Sequence, residues 1–361
     1  MTAASPIRVL VVDDTSIYRK VVSDVLNDDP SIEVVGVAAN GSIAMRKIEM
    51  LRPDLLTLDL EMPEMDGLEV LDALKDLPDA PGAIMLSAFT SDGAKSTMEA
   101  LRRGAFDFAL KPQSDSPAES MEKLRNTLIP LIHGYRRAHP PAGSGPAASP
   151  RRAAPPSSAA TPGRAFTGAD VVTIGISTGG PDALARMIPQ LPADLSVPVL
   201  IVQHMPPMFT RTLAEDLDKR SAVTVVEGVD GQRPRPGEVI IAPGGAQMKV
   251  VRHVGQPVIR ITDDPPEKNC RPAVDYLFRS VADVWGGRSL AVMMTGMGND
   301  GAEGCALLKS QGAMVICQDQ ASCVVYGMPR VPAEQGNCDL VVPLEHIASE
   351  IVGSVRGRRA A

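Results

Sequence analysis

Three residues in the second half of this 361-residue chain are of the types that together activate a hydroxyl: Ser177, His204 and Asp300. Ser177 ends the apolar run Val-Val-Thr-Ile-Gly-Ile and is followed by Thr-Gly-Gly-Pro. Such a run is a buried strand, and Gly-Gly-Pro turns a chain into a helix with Pro181 at its first position. A serine there suits a nucleophile, a phosphate-binding loop or a plain helix cap. His204 stands in Val-Gln-His-Met-Pro-Pro and Asp300 in Met-Thr-Gly-Met-Gly-Asn-Asp-Gly, each after another apolar run. In a parallel sheet all three reach one crevice at the carboxyl edge. There His204 could take the serine proton, and Asp300 could hold the imidazole's tautomer and stabilise its charged form. Backbone N–H groups of the glycine-rich loop at Met297 and of the Ser177 turn at Thr178 could receive a developing oxyanion. A phosphate cradle fits less well, because the stretch lacks the Lys-Ser or Lys-Thr ending of a Walker loop.

A second set lies in the first half: Asp13, Asp14, Asp59, Ser87 and Lys111, again at the ends of short apolar runs. Carboxylates converging on one edge repel one another unless a cation neutralises them, and an all-oxygen set suits Mg²⁺. A lysine and a hydroxyl opposite could hold phosphoryl oxygens, and a carboxylate so placed can become an aspartyl phosphate.

These residues need two α/β sheets to bring them together. Over 1–133, strands are expected at Ile7–Val12, Ile32–Ala38, Asp54–Leu60, Ala83–Ser87 and Phe106–Leu110. Amphipathic segments near Ser16–Asn27, Ser42–Leu51, Leu68–Leu77, Ala94–Arg103 and Ala118–Ile132 alternate with them, the pattern of a five-stranded doubly wound parallel sheet. Residues 134–168 hold seven prolines between Pro140 and Pro162 among Ala, Gly and Ser, a linker composition with scattered arginines. Over 169–356, strands are expected at Val171–Ile176, Val197–Val202, Val223–Val226, Glu238–Ala242, Ser289–Thr295, Ala313–Cys317 and Asp339–Val342. Helices are expected at Leu184–Gln190, Arg211–Arg220, Ala273–Val284 and Ala302–Gln311. A β-hairpin inserted in the sheet is expected between Glu238 and Thr262.

Composition narrows the class. A 44% apolar and 22% charged chain of net charge −7 is an ordinary globular protein with no bias toward nucleic acid. No run approaches the roughly 20 apolar residues of a membrane helix, and no leader pattern opens the chain, so direct membrane insertion is not expected and a cytoplasmic location is. Five cysteines without Cys-x-x-Cys spacing read as reduced thiols.

Val-Val-Asp-Asp-Thr-Ser, Leu-Asp-Leu-Glu-Met-Pro-Glu-Met-Asp-Gly-Leu and Leu-Lys-Pro resemble the receiver domain of two-component response regulators, a flavodoxin-like fold. The resemblance implies Asp59 as phospho-acceptor, with Asp14, Asp59, the Glu61 backbone carbonyl and nearby Asp13 around Mg²⁺. It also implies Ser87 and Lys111 on the phosphoryl group, Phe108 as the aromatic switch and a cis Lys111–Pro112 bond. The second half is similar to the catalytic domain of the chemotaxis protein-glutamate methylesterase family, CheB. Gly-Ile-Ser-Thr-Gly-Gly, Gln-His-Met-Pro-Pro, Arg-Pro-Ala-Val-Asp, Thr-Gly-Met-Gly-Asn-Asp-Gly and Cys-Val-Val-Tyr-Gly-Met-Pro carry that similarity. It implies hydrolysis of glutamate γ-methyl esters on chemoreceptors and deamidation of certain receptor glutamines. The implied triad is Ser177, His204 and Asp300, with Met297's amide in the oxyanion hole and no cofactor for ester hydrolysis. It further implies a chemotaxis histidine kinase as phosphodonor, and a receiver that blocks the crevice until phosphorylated. A non-enzymatic response regulator with a protein-binding second half is the competing expectation. A DNA-binding output is disfavoured, because no basic helix-turn-helix pattern follows the linker.

Overall fold

A computed structural model of the chain describes residues 5–112, 116–140, 166 and 168–355. It divides into two compact units, Met1–Arg137 and Ala138–Ala361. Most of the expected linker lies outside the described residues. Its first positions, 134–138, are the end of a helix, so the receiver's last element outruns the expected boundary at 133.

The first unit alternates β1 (Ile7–Val12), α1 (Ser16–Asn27), β2 (Ile32–Ala38), α2 (Gly41–Leu51), β3 (Leu55–Asp59), α3 (Gly67–Leu74), β4 (Gly82–Ser87), α4 (Ser91–Arg102), β5 (Asp107–Leu110) and α5 (Pro117–Ala138). Strand order is β2-β1-β3-β4-β5 and every pairing is parallel. The central strand β3 is buried at every position, as a sheet covered on both faces requires. Helix starts are set by side chains: Asn40 accepts from the Ile43 amide at 2.8 Å, and Asp66 and Glu69 form a reciprocal capping box. The sheet reverses direction at β1, which puts Asp13 and Asp14 at the switch point where α/β ligand sites form.

The second unit runs β6 (Val171–Ile176), α6 (Gly180–Met187), β7 (Val199–Gln203), α7 (Phe209–Asp218), β8 (Thr224–Glu227), β9 (Glu238–Ile241), β10 (Gln247–His253), β11 (Gln256–Thr262), α8 (Val274–Trp285), β12 (Ser289–Met293), α9 (Ala302–Ser310), β13 (Met314–Gln318), α10 (Arg330–Glu334), β14 (Leu340–Val342) and α11 (Leu344–Val355). The main sheet is wholly parallel, in the order β14-β13-β12-β6-β7-β9-β8. β6, flanked by β12 and β7, is the switch strand. The hairpin differs from expectation: β10 and β11 form an antiparallel sheet of their own rather than an insertion. Met248, Val250 and Ile259 turn inward onto the Val274–Phe278–Val281 face of α8, so its apolar side is satisfied by a helix and needs no neighbouring strand. Its turn is Val254-Gly255, with φ of 50° and 77°. α10 and α11 extend the expected helices. Lys111–Pro112 is trans, the isomer an X–Pro bond favours by about 0.5–1 kcal/mol unless packing overrides it; among the described residues the cis bond is Arg271–Pro272. No helix among the described residues is long and apolar enough to cross a membrane.

Candidate active site and phosphorylation site

In the second unit β6 and β7 pair Ile176 with Gln203, so Ser177 and His204 stand side by side one residue past the ladder. The His204 amide bonds the Ile176 carbonyl at 3.2 Å. Asp300 arrives from the far side of β6, in the loop between β12 and α9. Its carboxylate Oδ2 lies 2.8 Å from His204 Nε2. The same carboxylate accepts the amides of Val274 at 2.7 Å and Asp275 at 3.0 Å, the first turn of α8. Asp300 thus caps a helix and orients an imidazole at once, and the amides explain why so buried an anion is tolerated. Burial pushes its carboxyl up, but the His204 bond and charge, with the two amides, hold it below the usual range. For His204 burial pushes the imidazolium down. The bond to Asp300, and then the Cys270 sulfur, outweigh burial and raise it from 6.5 to about 9.

Ser177 is positioned by its backbone. Its N–H donates to the Thr295 carbonyl at 2.9 Å, and its carbonyl accepts from Gly180 at 2.7 Å and from Gln203 Nε2 at 3.0 Å. Thr295 Oγ1 donates to the Thr178 carbonyl at 3.0 Å and stitches the two loops together. That approach needs a glycine: a Cβ on Gly296 would sit 2.3 Å from Met328 Sδ and 2.8 Å from Ser177 Cβ. The amides of Thr178 and Met297, the expected oxyanion donors, have no hydrogen-bond acceptor among the described residues, whereas neighbouring Gly296 and Met294 amides are bonded. Ser177 Oγ makes no hydrogen bond to His204. The histidine's other nitrogen, Nδ1, faces Cys270 Sγ at 3.7 Å.

In the first unit Lys111 Nζ bridges Asp13 Oδ2 at 2.8 Å and Asp59 Oδ2 at 2.7 Å, with the Tyr18 ring 4.8 Å away. Asp59 is buried, and that burial pushes its carboxyl up to about 6 from 3.8, against the lowering effect of Lys111; Asp13 and Asp14 add to the rise. Oxygens of Asp13, Asp14 and Asp59 lie within 4.8 Å of one another. An all-carboxylate donor set whose members raise one another's proton affinity fits a hard divalent cation such as Mg²⁺. Glu61 is exposed just beyond β3, among the residues lining a cavity of about 400 Å³ with Asp14, Met62 and Asp66. The buried Ser87 hydroxyl accepts from Thr97 Oγ1 at 2.7 Å and lies 3.4 Å from the Gly93 carbonyl, facing α4 rather than Asp59. Phe108 is buried on β5, paired with Met85.

Several residues were not singled out from sequence. Gln203, Thr295 and Cys270 act through tertiary contacts that no spacing displays. Asp275 had a signal, a carboxylate in the first turn of α8. It accepts the Gly304 amide at 2.7 Å and pairs with Lys268 at 2.5 Å, fastening the Asp300 loop.

The comparisons with known proteins agree with this geometry. The family model described as response regulator receiver domain matches residues 9–123, and that described as CheB methylesterase matches 172–351. The chain belongs to the CheB methylesterase family. A protein-glutamate methylesterase/protein-glutamine glutaminase of Desulfotalea psychrophila is 52% identical over 97% of this chain and 99% of its own length. One of the same name from a Nocardioides species is 45% identical over 98% and 96%. The crystal structure of the Thermotoga maritima CheB methylesterase catalytic domain covers 51% of this chain and 97% of its own, at 40% identity and a TM-score of 0.50.

Proposed function

We propose that this CheB-family chain is a phosphorylation-activated hydrolase acting on chemoreceptors. It cleaves glutamate γ-methyl esters and deamidates certain receptor glutamines. The observation that carries the reading is the His204–Asp300 pair beside Ser177 at the switch strand, with two unbonded amides facing the same crevice.

In this reading neutral His204 takes the Ser177 proton as Oγ bonds to the ester carbon. The carbonyl oxygen gathers negative charge between the amides of Thr178 and Met297, where each donor is worth about 2.7–4 kcal/mol of barrier. Imidazolium then returns its proton to the departing methoxide, releasing methanol and leaving a γ-glutamyl ester on Ser177. Water, deprotonated by His204, attacks that ester, frees the carboxylate and restores the serine. With a glutamine side chain the leaving group is ammonia and the remaining steps are the same. The absent Ser177–His204 hydrogen bond fits a resting enzyme, since such contacts commonly tighten only with substrate in place.

In the receiver, Asp59 Oδ attacks the phosphorus of a histidine-kinase phosphodonor and forms an aspartyl phosphate. Lys111 is already in hydrogen-bond reach of Asp59, and Ser87 turns from α4 toward the new oxygens, with Phe108 following. Mg²⁺ held by Asp13, Asp14, Asp59 and the Glu61 carbonyl supplies charge compensation there. The unphosphorylated receiver restrains the hydrolase, and the 134–168 segment tethers one to the other.

Replacing Ser177 by Ala tests the nucleophile. Methanol release from methylated receptor is expected to fall to background while Asp59 still accepts phosphoryl from a small-molecule donor. Retained methanol release would overturn the assignment.

A further inference from the structure

Cys270 is a thiol beside the candidate base that the ester chemistry does not use. Its Sγ lies 3.7 Å from His204 Nδ1, and the residue is partly exposed, which leaves an entry path. The side chain is held by a tight turn. Cys270 and Glu267 exchange backbone hydrogen bonds of 2.7 and 3.1 Å across Lys268 and Asn269, both left-handed at φ 48° and 63°. One ligand atom each from Cys270, His204 and Asp300 falls within 4.8 Å of the others. Tetrahedral zinc, with Zn–S of about 2.3 Å and Zn–N and Zn–O of about 2.0–2.2 Å, spaces neighbouring donors by roughly 3.5 Å. The sulfur–nitrogen separation is already near that value. Asp300 is fixed in advance by the Val274 and Asp275 amides.

We propose that Cys270, His204 and Asp300 form a binding site for a thiophilic divalent cation of the Zn²⁺ class, and that its occupation switches the hydrolase off by engaging His204. Sulfur and imidazole favour such an ion, whereas the all-oxygen set of Asp13, Asp14 and Asp59 favours Mg²⁺, so one chain sorts two cations by donor softness. Binding releases the Cys270 proton, and any proton on His204, to solvent, so it strengthens with rising pH. The inhibitory half rests on His204 being the base; the binding half does not.

Co²⁺ serves as the optical probe, titrated into the full chain with Mg²⁺ in excess to saturate the receiver. A thiolate-to-cobalt charge-transfer band is expected in the intact chain and in Cys338→Ala, and is expected to vanish in Cys270→Ala. In parallel, Zn²⁺ is titrated into the basal methanol-release assay of intact chain, Cys270→Ala and Cys270→Ser, each referred to its own metal-free rate. Loss of the thiolate should weaken Zn²⁺ inhibition at least about tenfold, the lower end of what losing even an outer-shell partner costs a metal site. No band in the intact chain, or an equal band in a Cys270→Ala protein with native circular dichroism, overturns the site. Equal Zn²⁺ inhibition of all three proteins overturns the switch. A Ser177→Ala protein that keeps both the band and its esterase activity would instead sink the serine mechanism and leave the metal site standing.

Discussion

His204 is subject to opposing influences, burial that disfavours its charge and a buried carboxylate at 2.8 Å that favours it, and the carboxylate prevails. With its imidazole raised to about 9, the resting base is protonated near neutrality, and hydrolysis must wait for it to lose that proton. The sign follows directly. The charged form is favoured in the folded chain, so its contribution to stability is complete below the ordinary value of 6.5 and is lost as pH rises through about 9. Activity gains over the same interval. The acid limb of kcat/KM for methyl-ester hydrolysis is therefore expected well above 6.5, toward 9. Asp300→Asn should bring it back toward 6.5 and lower kcat by roughly 10⁴-fold, the scale seen when a triad carboxylate is lost. An unshifted limb in that variant would remove Asp300 from its orienting role. At this scale the sequence was informative where chemistry meets a strand end. Ser177, His204, Asp300, Asp59 and Lys111 all stand where the alternation of apolar runs placed them. Gln203 and Cys270 escaped notice, because an amide bonding a neighbouring loop and a thiol across a turn look like any other polar residue until the loops are folded.

Among the elements, the strands were legible because parallel strands covered on both faces read as continuous apolar runs, and β1, β2 and β6 begin and end at the expected residues. α11 was missed although Leu344, Ile347, Ala348 and Ile351 recur at helical spacing and are all buried; the signal was present and unread. The hairpin was seen but misplaced, since apolar alternation shows that a face is buried without saying against what. Its turn is strained. Val254 takes φ 50°, a conformation a β-branched residue disfavours, and is 86% exposed, with no packing to compensate. Two-residue turns with positive φ at both positions favour Asn-Gly. Val254→Asn should therefore stabilise the second unit by about 1 kcal/mol. The chain's one tryptophan, Trp285 at the end of α8, reports that unfolding by fluorescence in denaturant. A midpoint unchanged or lowered at constant m-value would show that the turn is not the source of strain.

At the scale of the molecule, the two units divide the chemistry: phosphoryl transfer at Asp59 and acyl transfer at Ser177. If the first controls the second, Asp59→Asn should keep the basal rate of methanol release and lose its rise with a small-molecule phosphodonor. Stimulation that survives the change would uncouple the units. Residues 134–168 advertised two separable bodies by composition alone, whereas the paired use of Asp300 as helix cap and imidazole partner could not be read from composition or spacing. That pairing has a practical consequence. The register of the proton relay is inherited from the start of α8, and α8 in turn rests on Phe278, Val281 and the hairpin's inner face. Core variants far from the crevice should thus announce themselves as slow enzymes at temperatures where they are still folded. Heat inactivation would then begin as a loss of aim, and only later become a loss of structure.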